Sequence, residues 1–259
     1  MRKASLIKGR GKNNETRGNT PSRQKTYVLV HGAFFGGWCW KTVGASLRAL
    51  GHSVYTPTLT GLGERSHLLA ATPTLETFIE DVAQVLRYED LEDVILVGHS
   101  FSGSVVSALA DRMSETLRHL VYLDAQLLLS GESPASGAPP ASIERYRQRA
   151  IETCHGAVIP PFDPQTFGIT DPEVAAWTKT KLTPHPFQIY FDELALKNPL
   201  GNGVPATYIA GINPRYANVA SSHELARQIE GWTYVELSTG HSSMLLMPDE
   251  LVTLLAAID

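Results

Sequence analysis

A serine among small residues, Gly98-His99-Ser100-Phe101-Ser102-Gly103, follows directly on the apolar run Val94-Ile95-Leu96-Val97. A serine hydroxyl is a weak nucleophile at neutral pH. It needs a general base within hydrogen-bond reach and a group that orients the base. The four aliphatic residues read as a buried parallel strand, and Val105 to Ala110 reads as a helix. A strand that turns at once into a helix strains the backbone and pushes one Ser Oγ out at the carboxyl edge of a sheet. The usual spacing is Gly-x-Ser-x-Gly. Here Ser102 holds the last position and Gly103 comes one step later. Ser102 is the rival nucleophile, but past the apex of the turn it would point into the helix.

The base is expected late in the chain. Thr233 to Leu237 reads as a strand, and Ser238-Thr239-Gly240-His241 follows it, so His241 is the candidate. Near the start, the strand Thr26 to Val30 leads into His31-Gly32-Ala33-Phe34-Phe35-Gly36-Gly37. The backbone N–H groups of Ala33 and Phe101 are candidates for an oxyanion hole, with Phe34 beside them against the substrate. The third member of a triad is expected after the strand Thr207 to Ala210, but Gly211-Ile212-Asn213-Pro214-Arg215 holds no carboxylate. Asn213 is the first choice: its carbonyl can accept from an imidazole N–H, although it cannot offset an imidazolium charge. Asp124, which ends the strand Leu120 to Leu123, is the second choice, and a Ser100–His241 dyad the third. His31 reads as a hydrogen-bonding strut and His99 as packing beneath the nucleophile. His52, His67, His119, His155, His185 and His223 read as ordinary surface or loop residues.

These residues require a sheet whose carboxyl ends share one edge. Strands are expected near 26–30, 53–56, 94–97, 120–123, 207–210 and 233–237. Helices are expected near 40–50, 75–88, 102–113, 221–229 and 248–258, with Thr74 as N-cap of the second and Thr77 at the box position. Strands alternating with helices predict an α/β fold, a mostly parallel six-stranded sheet covered on both faces. The alternation breaks between Ala125 and Pro205, where Ser/Gly/Pro-rich stretches carry Phe162, Phe167, Trp177, Phe187, Tyr190 and Phe191. The domain reading is a core of 26–126 and 201–259 with an inserted cap over 127–200. The cap's rings either form its own small core or line an apolar pocket.

The chain of 259 residues is long enough for one domain with a sizeable core. Its charge of −4 hides an asymmetry. Residues 1–25 carry eight cations against Glu15, a net +7, which leaves −11 on the rest. Residues 1–25 read as a disordered basic tail, and the acidic body excludes a nucleic-acid partner. No apolar run reaches a membrane span. Two cysteines, Cys39 and Cys154, make neither a disulfide framework nor a metal cluster, which fits a cytoplasmic location. Gly61-Leu62-Gly63 lacks the third glycine of a dinucleotide fingerprint. No metal and no cofactor are expected, and a homodimer is left open.

Four segments together resemble a known family. They are His31-Gly32-Ala33 with Gly36-Gly37-Trp38-Cys39-Trp40, Gly61-Leu62-Gly63-Glu64-Arg65-Ser66-His67-Leu68, Gly98-His99-Ser100, and Gly240-His241. They are similar to the α/β-hydrolases that include plant methylesterases, hydroxynitrile lyases and bacterial carboxylesterases. The resemblance runs from about Tyr27 to the C-terminus. It implies a cofactor-free α/β-hydrolase fold with a small cap over a hydrophobic pocket, cleaving small-molecule esters of aromatic or small apolar acids. It also implies Ser100 as nucleophile, His241 as base, and Ala33 and Phe101 as oxyanion donors. The family's usual aspartate aligns with Asn213. The lyases' lysine after the histidine is Ser242 here, so cyanohydrin chemistry is not expected. Two readings of other classes stand beside the esterase: a catalytically weak ligand-binding protein, motivated by Asn213, and a lyase or cofactor-free oxygenase using His241 as base.

Overall fold

The computed structural model describes residues 24–258. Most of the basic tail lies outside them. In chain order the first half contains β1 (Thr26–Val30), α1 (Lys41–Ala49), β2 (Ser53–Tyr55), α2 (Leu75–Tyr88), β3 (Val94–His99), α3 (Gly103–Met113) and β4 (Leu117–Leu123). An insert follows with α4 (Pro140–Cys154), β5 (Val158–Ile159), α5 (Pro172–Lys179) and β6 (His185–Pro186). The chain then completes β7 (Ala206–Gly211), α6 (Ala220–Gln228), β8 (Thr233–Leu237), α7 (Ser243–Leu246) and α8 (Pro248–Ala256).

Six strands form one sheet in the order β2-β1-β3-β4-β7-β8, and every neighbouring pair is parallel. The central strands read as unbroken apolar runs because both faces are covered: β3 and β7 are buried at every position. α1 packs on α8, and α2 on α3. The capping box at α2 works with two threonines. The Thr77 N–H donates to Thr74 Oγ1 at 3.2 Å, and the Thr74 N–H donates to Thr77 Oγ1 at 3.1 Å. The expected strands and core helices occur within a few residues of their sequence positions.

Two expectations change. Lys25, read as tail, is part of the fold. Its side chain is 8% exposed, and Nζ donates to the carbonyls of Ala256 (2.9 Å) and Ile258 at the end of α8. The insert also carries more regular structure than its Pro/Gly-rich composition suggests. β5 and β6 pair antiparallel, and α4 buries Ile143, Tyr146 and Ala150 on one face. The insert is tied to the loop after β1, where the Thr183 N–H donates to the Phe34 carbonyl at 3.0 Å. It is also tied to the start of α2, where the Leu75 N–H donates to Asp192 Oδ2 at 2.8 Å.

Among the described residues no helix is long and apolar enough to cross a membrane, and no group of three or more His, Cys, Asp or Glu could hold a metal ion.

Candidate active site

β3 runs straight into the turn that carries Ser100, whose φ is +56°. A non-glycine residue in that region costs on the order of 1–3 kcal/mol and persists only where its surroundings fix it. Two glycines do so. A Cβ on Gly98 would lie 2.5 Å from Val106 Cγ2, and a Cβ on Gly103 would overlap the Gln126 carbonyl. The close approach therefore falls at Gly103, and position 102 tolerates a serine. Ser102 is fully buried and donates to the His31 carbonyl, so it is turned away from the site.

His241 sits in the loop between β8 and α7. Ser100 Oγ donates to its Nε2 at 2.8 Å. Its Nδ1–H donates to Asp124 Oδ2 at 2.6 Å. Asp124 ends β4 with φ +42° and is 1% exposed. Its other oxygen is also saturated: Oδ1 accepts from His223 Nε2 at 2.7 Å and from the Gly211 N–H at 3.0 Å. Burial would push this carboxyl up, but the hydrogen bonds from His223 and then His241 outweigh burial and hold it well below the usual carboxylate range.

Asn213, the first choice for the orienting role, is not at the histidine. It is exposed, and its backbone N–H donates to the Thr239 carbonyl at 2.9 Å. The physical reason is strand order. β4 lies beside β3, while β7 lies one strand further out, so the end of β4 is nearer the elbow. With Asp124 at His241, the motive for a catalytically weak binding protein disappears.

Two histidines brace the site from below. His99 Nε2–H donates to the His241 carbonyl at 2.9 Å, and the two rings are 4.6 Å apart. His31 accepts from the Leu59 N–H at 3.1 Å and donates to the Gly32 carbonyl at 2.8 Å. Burial lowers the pKa of His99 to about 3 and that of His31 to about 4, so both are neutral struts.

Ala33, Phe34, Ser100, Phe101 and His241 line one pocket. Phe34 has φ +71°, and the Phe35 N–H closes its turn on the Gly32 carbonyl at 3.3 Å. The short turn of Ser100–Ser102 leads directly into α3, which puts Ser100 at the positive end of the helix dipole. Phe167, Tyr146 and Tyr190 of the insert and Tyr216 of the loop after β7 complete the wall. The Tyr216 ring lies 4.0 Å from that of His241.

Of the insert rings singled out in the sequence, Phe167 and Tyr190 line this pocket. Phe162 packs edge-on against Phe34. Trp177 packs against Trp38, and Phe187 and Phe191 pack on each other. His185 is not a surface residue: it is fully buried against Phe34, Phe78, Phe101 and Tyr190, and burial takes its pKa to about 3. Nor is His223, which is 2% exposed. Its neighbours on the buried face of α6, Ser222 and Ala226, were the available signal: a histidine among small residues on a helix's inner face. Gln126, two residues past Asp124, also lines the pocket, and no motif in the sequence marks it.

A model of the alpha/beta hydrolase family matches residues 27–254. The carbendazim hydrolyzing esterase of Nocardioides sp. (strain SG-4G) is 35% identical over 239 residues, 90% of this chain and 98% of that one. Methylesterase 3 of Arabidopsis thaliana is 30% identical over 164 residues, 62% of each chain. Among solved structures, an extracellular alpha/beta-hydrolase from a Paenibacillus species, described as a structural and functional homologue of tobacco salicylic acid binding protein 2, superposes with a TM-score of 0.78. It is 25% identical, covering 89% of this chain and 97% of its own. A pyrethroid hydrolase from Sphingobium faniae JZ-2 shares the fold, with a TM-score of 0.71 at 22% identity over 90% of this chain and 96% of that one. The sheet order, the strained serine turn and a match over nearly every described residue agree: the chain belongs to the alpha/beta hydrolase family.

Proposed function

We propose that this chain hydrolyses carboxylic esters of small aromatic or apolar acids through an acyl-enzyme on Ser100. It is a carboxylic-ester hydrolase by its relatives; the substrate range and the residue roles are the finer proposal. One observation carries it: Ser100, His241 and Asp124 form an unbroken hydrogen-bonded chain that opens into an aromatic-walled pocket.

In the mechanism, His241 Nε2 takes the proton of Ser100 Oγ as the oxygen attacks the ester carbonyl. Asp124 holds the imidazole with Nδ1 protonated and stabilises the imidazolium. The N–H groups of Ala33 and Phe101 receive the oxyanion, each donor being worth about 3–4 kcal/mol. His241 then gives the proton to the leaving alkoxide. Water, deprotonated by the same nitrogen, releases the acid. The aromatic wall suits a flat acyl group, and the insert, roughly 127–200, acts as a cap that sets substrate choice. A soluble cytoplasmic enzyme acting alone or as a homodimer fits this reading.

The test is p-nitrophenyl acetate. A burst of nitrophenolate in the intact protein, lost in Ser100→Ala, together with a fluorophosphonate adduct mapped to Ser100 by mass spectrometry, is the expected result. An intact protein that turns over no short-chain or aromatic ester would sink the reading.

A further inference from the structure

The turn after β1 is gripped from the insert. The Phe35 N–H closes it on the Gly32 carbonyl, and Phe34 within it has φ +71°. A non-glycine residue stays in that region only while its surroundings fix it. The Thr183 N–H donates to the Phe34 carbonyl at 3.0 Å. Thr183 Oγ1 in turn accepts from the Gly63 N–H at 3.0 Å, so the grip is anchored on a second core loop. Two residues on, His185 of β6 packs its ring against that of Phe34, with the centroids 5.4 Å apart.

The same ring reaches the other side of the site. The His185 and Phe101 centroids lie 5.1 Å apart. Phe34 adjoins Ala33, and Phe101 follows Ser100. One insert side chain thus spans the two segments that carry the proposed oxyanion donors. Phe78 and Tyr190 close the cage at 5.8 and 5.4 Å, and the histidine is fully buried. Its Nδ1–H donates to the Pro186 carbonyl at 3.1 Å, which fixes the ring within β6. Its Nε2 has no partner among the described residues. A hydrocarbon side chain would fill the cage without that unpaired nitrogen, so stability alone does not account for a histidine here.

We propose that His185, with Thr183, is a positioning residue: this clasp from the insert sets the separation between the Ala33 and Phe101 N–H groups. The inference rests on the esterase reading above and goes beyond it, because it gives the insert a part in turnover itself. An oxyanion donor counts only at about 2.7–3.1 Å from the developing charge, and a misplacement of about 1 Å can cost about 10²-fold. The oxyanion exists in the transition states of acylation and deacylation and not in the bound ester. A loosened clasp therefore slows both steps and leaves KM nearly unchanged.

The test uses p-nitrophenyl acetate and 1,1,1-trifluoroacetone, a ketone of the same acyl size whose adduct on a serine is itself an oxyanion. His185→Leu should lower kcat at least about tenfold with KM within about twofold, the burst and the steady state slowing together. Inhibition by trifluoroacetone should weaken by a similar factor. His185→Phe keeps a ring in the cage and should recover most of the kcat. Phe187→Ala, whose ring contact is with Phe191, should lower the melting temperature and leave kcat alone. If the leucine variant does not fold, Thr183→Ala takes its place; it removes the anchor on Gly63 and should lower kcat at least about threefold. A folded variant with unchanged kcat, a rise in KM alone, or unchanged inhibition by trifluoroacetone overturns this inference while the intact protein still turns over p-nitrophenyl acetate. No turnover of any ester by the intact protein overturns the esterase reading beneath it.

Discussion

Two chain segments leave neighbouring strands at the same edge of the sheet, and only one meets the histidine. At the end of β4, Asp124 is buried with a positive φ, and both its oxygens are filled by His241, His223 and Gly211. At the end of β7, Asn213 is exposed and engages its surroundings through its backbone N–H. Both segments begin where a triad acid can begin. The difference teaches that a strand end is joined to the histidine through the donors other elements bring to it. Asp124 is met by a helix, a neighbouring strand end and the histidine loop. Asn213 projects to solvent.

Asp124→Asn is the sharpest way to break this contrast. Three N–H donors converge on two carboxylate oxygens. An amide has one oxygen, so its NH2 must face a donor and force a histidine into the wrong tautomer. The kcat should fall by about 10⁴. A variant within tenfold of the parent would show that the contrast has no catalytic meaning.

The next effect concerns the neutral histidines around the same edge. His31, His99 and His185 have folded pKa values of about 4, 3 and 3, below the ordinary value of about 6.5. The unfolded chain therefore binds more protons than the folded one as pH drops below about 6.5. Their contribution is intact above that pH and is lost as pH falls toward the folded values. At pH 5 the loss is on the order of 2 kcal/mol for each. Unfolding monitored between pH 7 and pH 5 should show a steep fall in stability, and a flat profile would contradict the burial of these rings. Asp124 shifts in the same direction, below the usual carboxylate range, and loses its contribution only in stronger acid, as pH falls below the ordinary carboxylate value.

A smaller effect is expected at His223, which acts through Asp124. His223→Leu should lower kcat by roughly tenfold with little change in KM, because a charge-stabilising bond matters most in the transition state. His223→Gln can return an N–H to the carboxylate and should recover most of the loss. Equal losses in both variants would reduce His223 to packing. The smallest effect belongs to the other segment: Asn213→Asp should change kcat/KM less than about twofold, since an exposed charge there is screened by solvent. A tenfold gain would restore Asn213 as the orienting residue.

The fold was readable where the signal is local. Val94 to Val97 is a continuous apolar run, and Thr207 to Ala210 a run of β-branched, aromatic and small residues, because a doubly covered parallel sheet demands them. Ser100 and His241 stand in short turns whose residue types follow from backbone geometry. The choice between Asp124 and Asn213 was not readable, because it depends on which strand lies beside β3, and strand order is written in no single segment. His223 was hidden for the same reason: a helix far along the chain delivers it to an acid 99 positions earlier. In α4, the spacing of Ile143, Tyr146 and Ala150 does mark a buried face, but the arginines between them diluted it.

Moving the acid inward to β4 has a consequence for the chain that follows β7. The stretch 212–219 no longer has to hold a carboxylate at a fixed distance from the imidazole, yet it still supplies Tyr216 and Asn218 to the pocket wall. In the proposed mechanism, turnover and selectivity are thus carried by separate pieces of backbone. Sequence can drift here, or be randomised in a library, and shift the range of esters accepted while the proton-transfer apparatus stays in register. In an enzyme whose acid sat after β7, the same changes would move both at once.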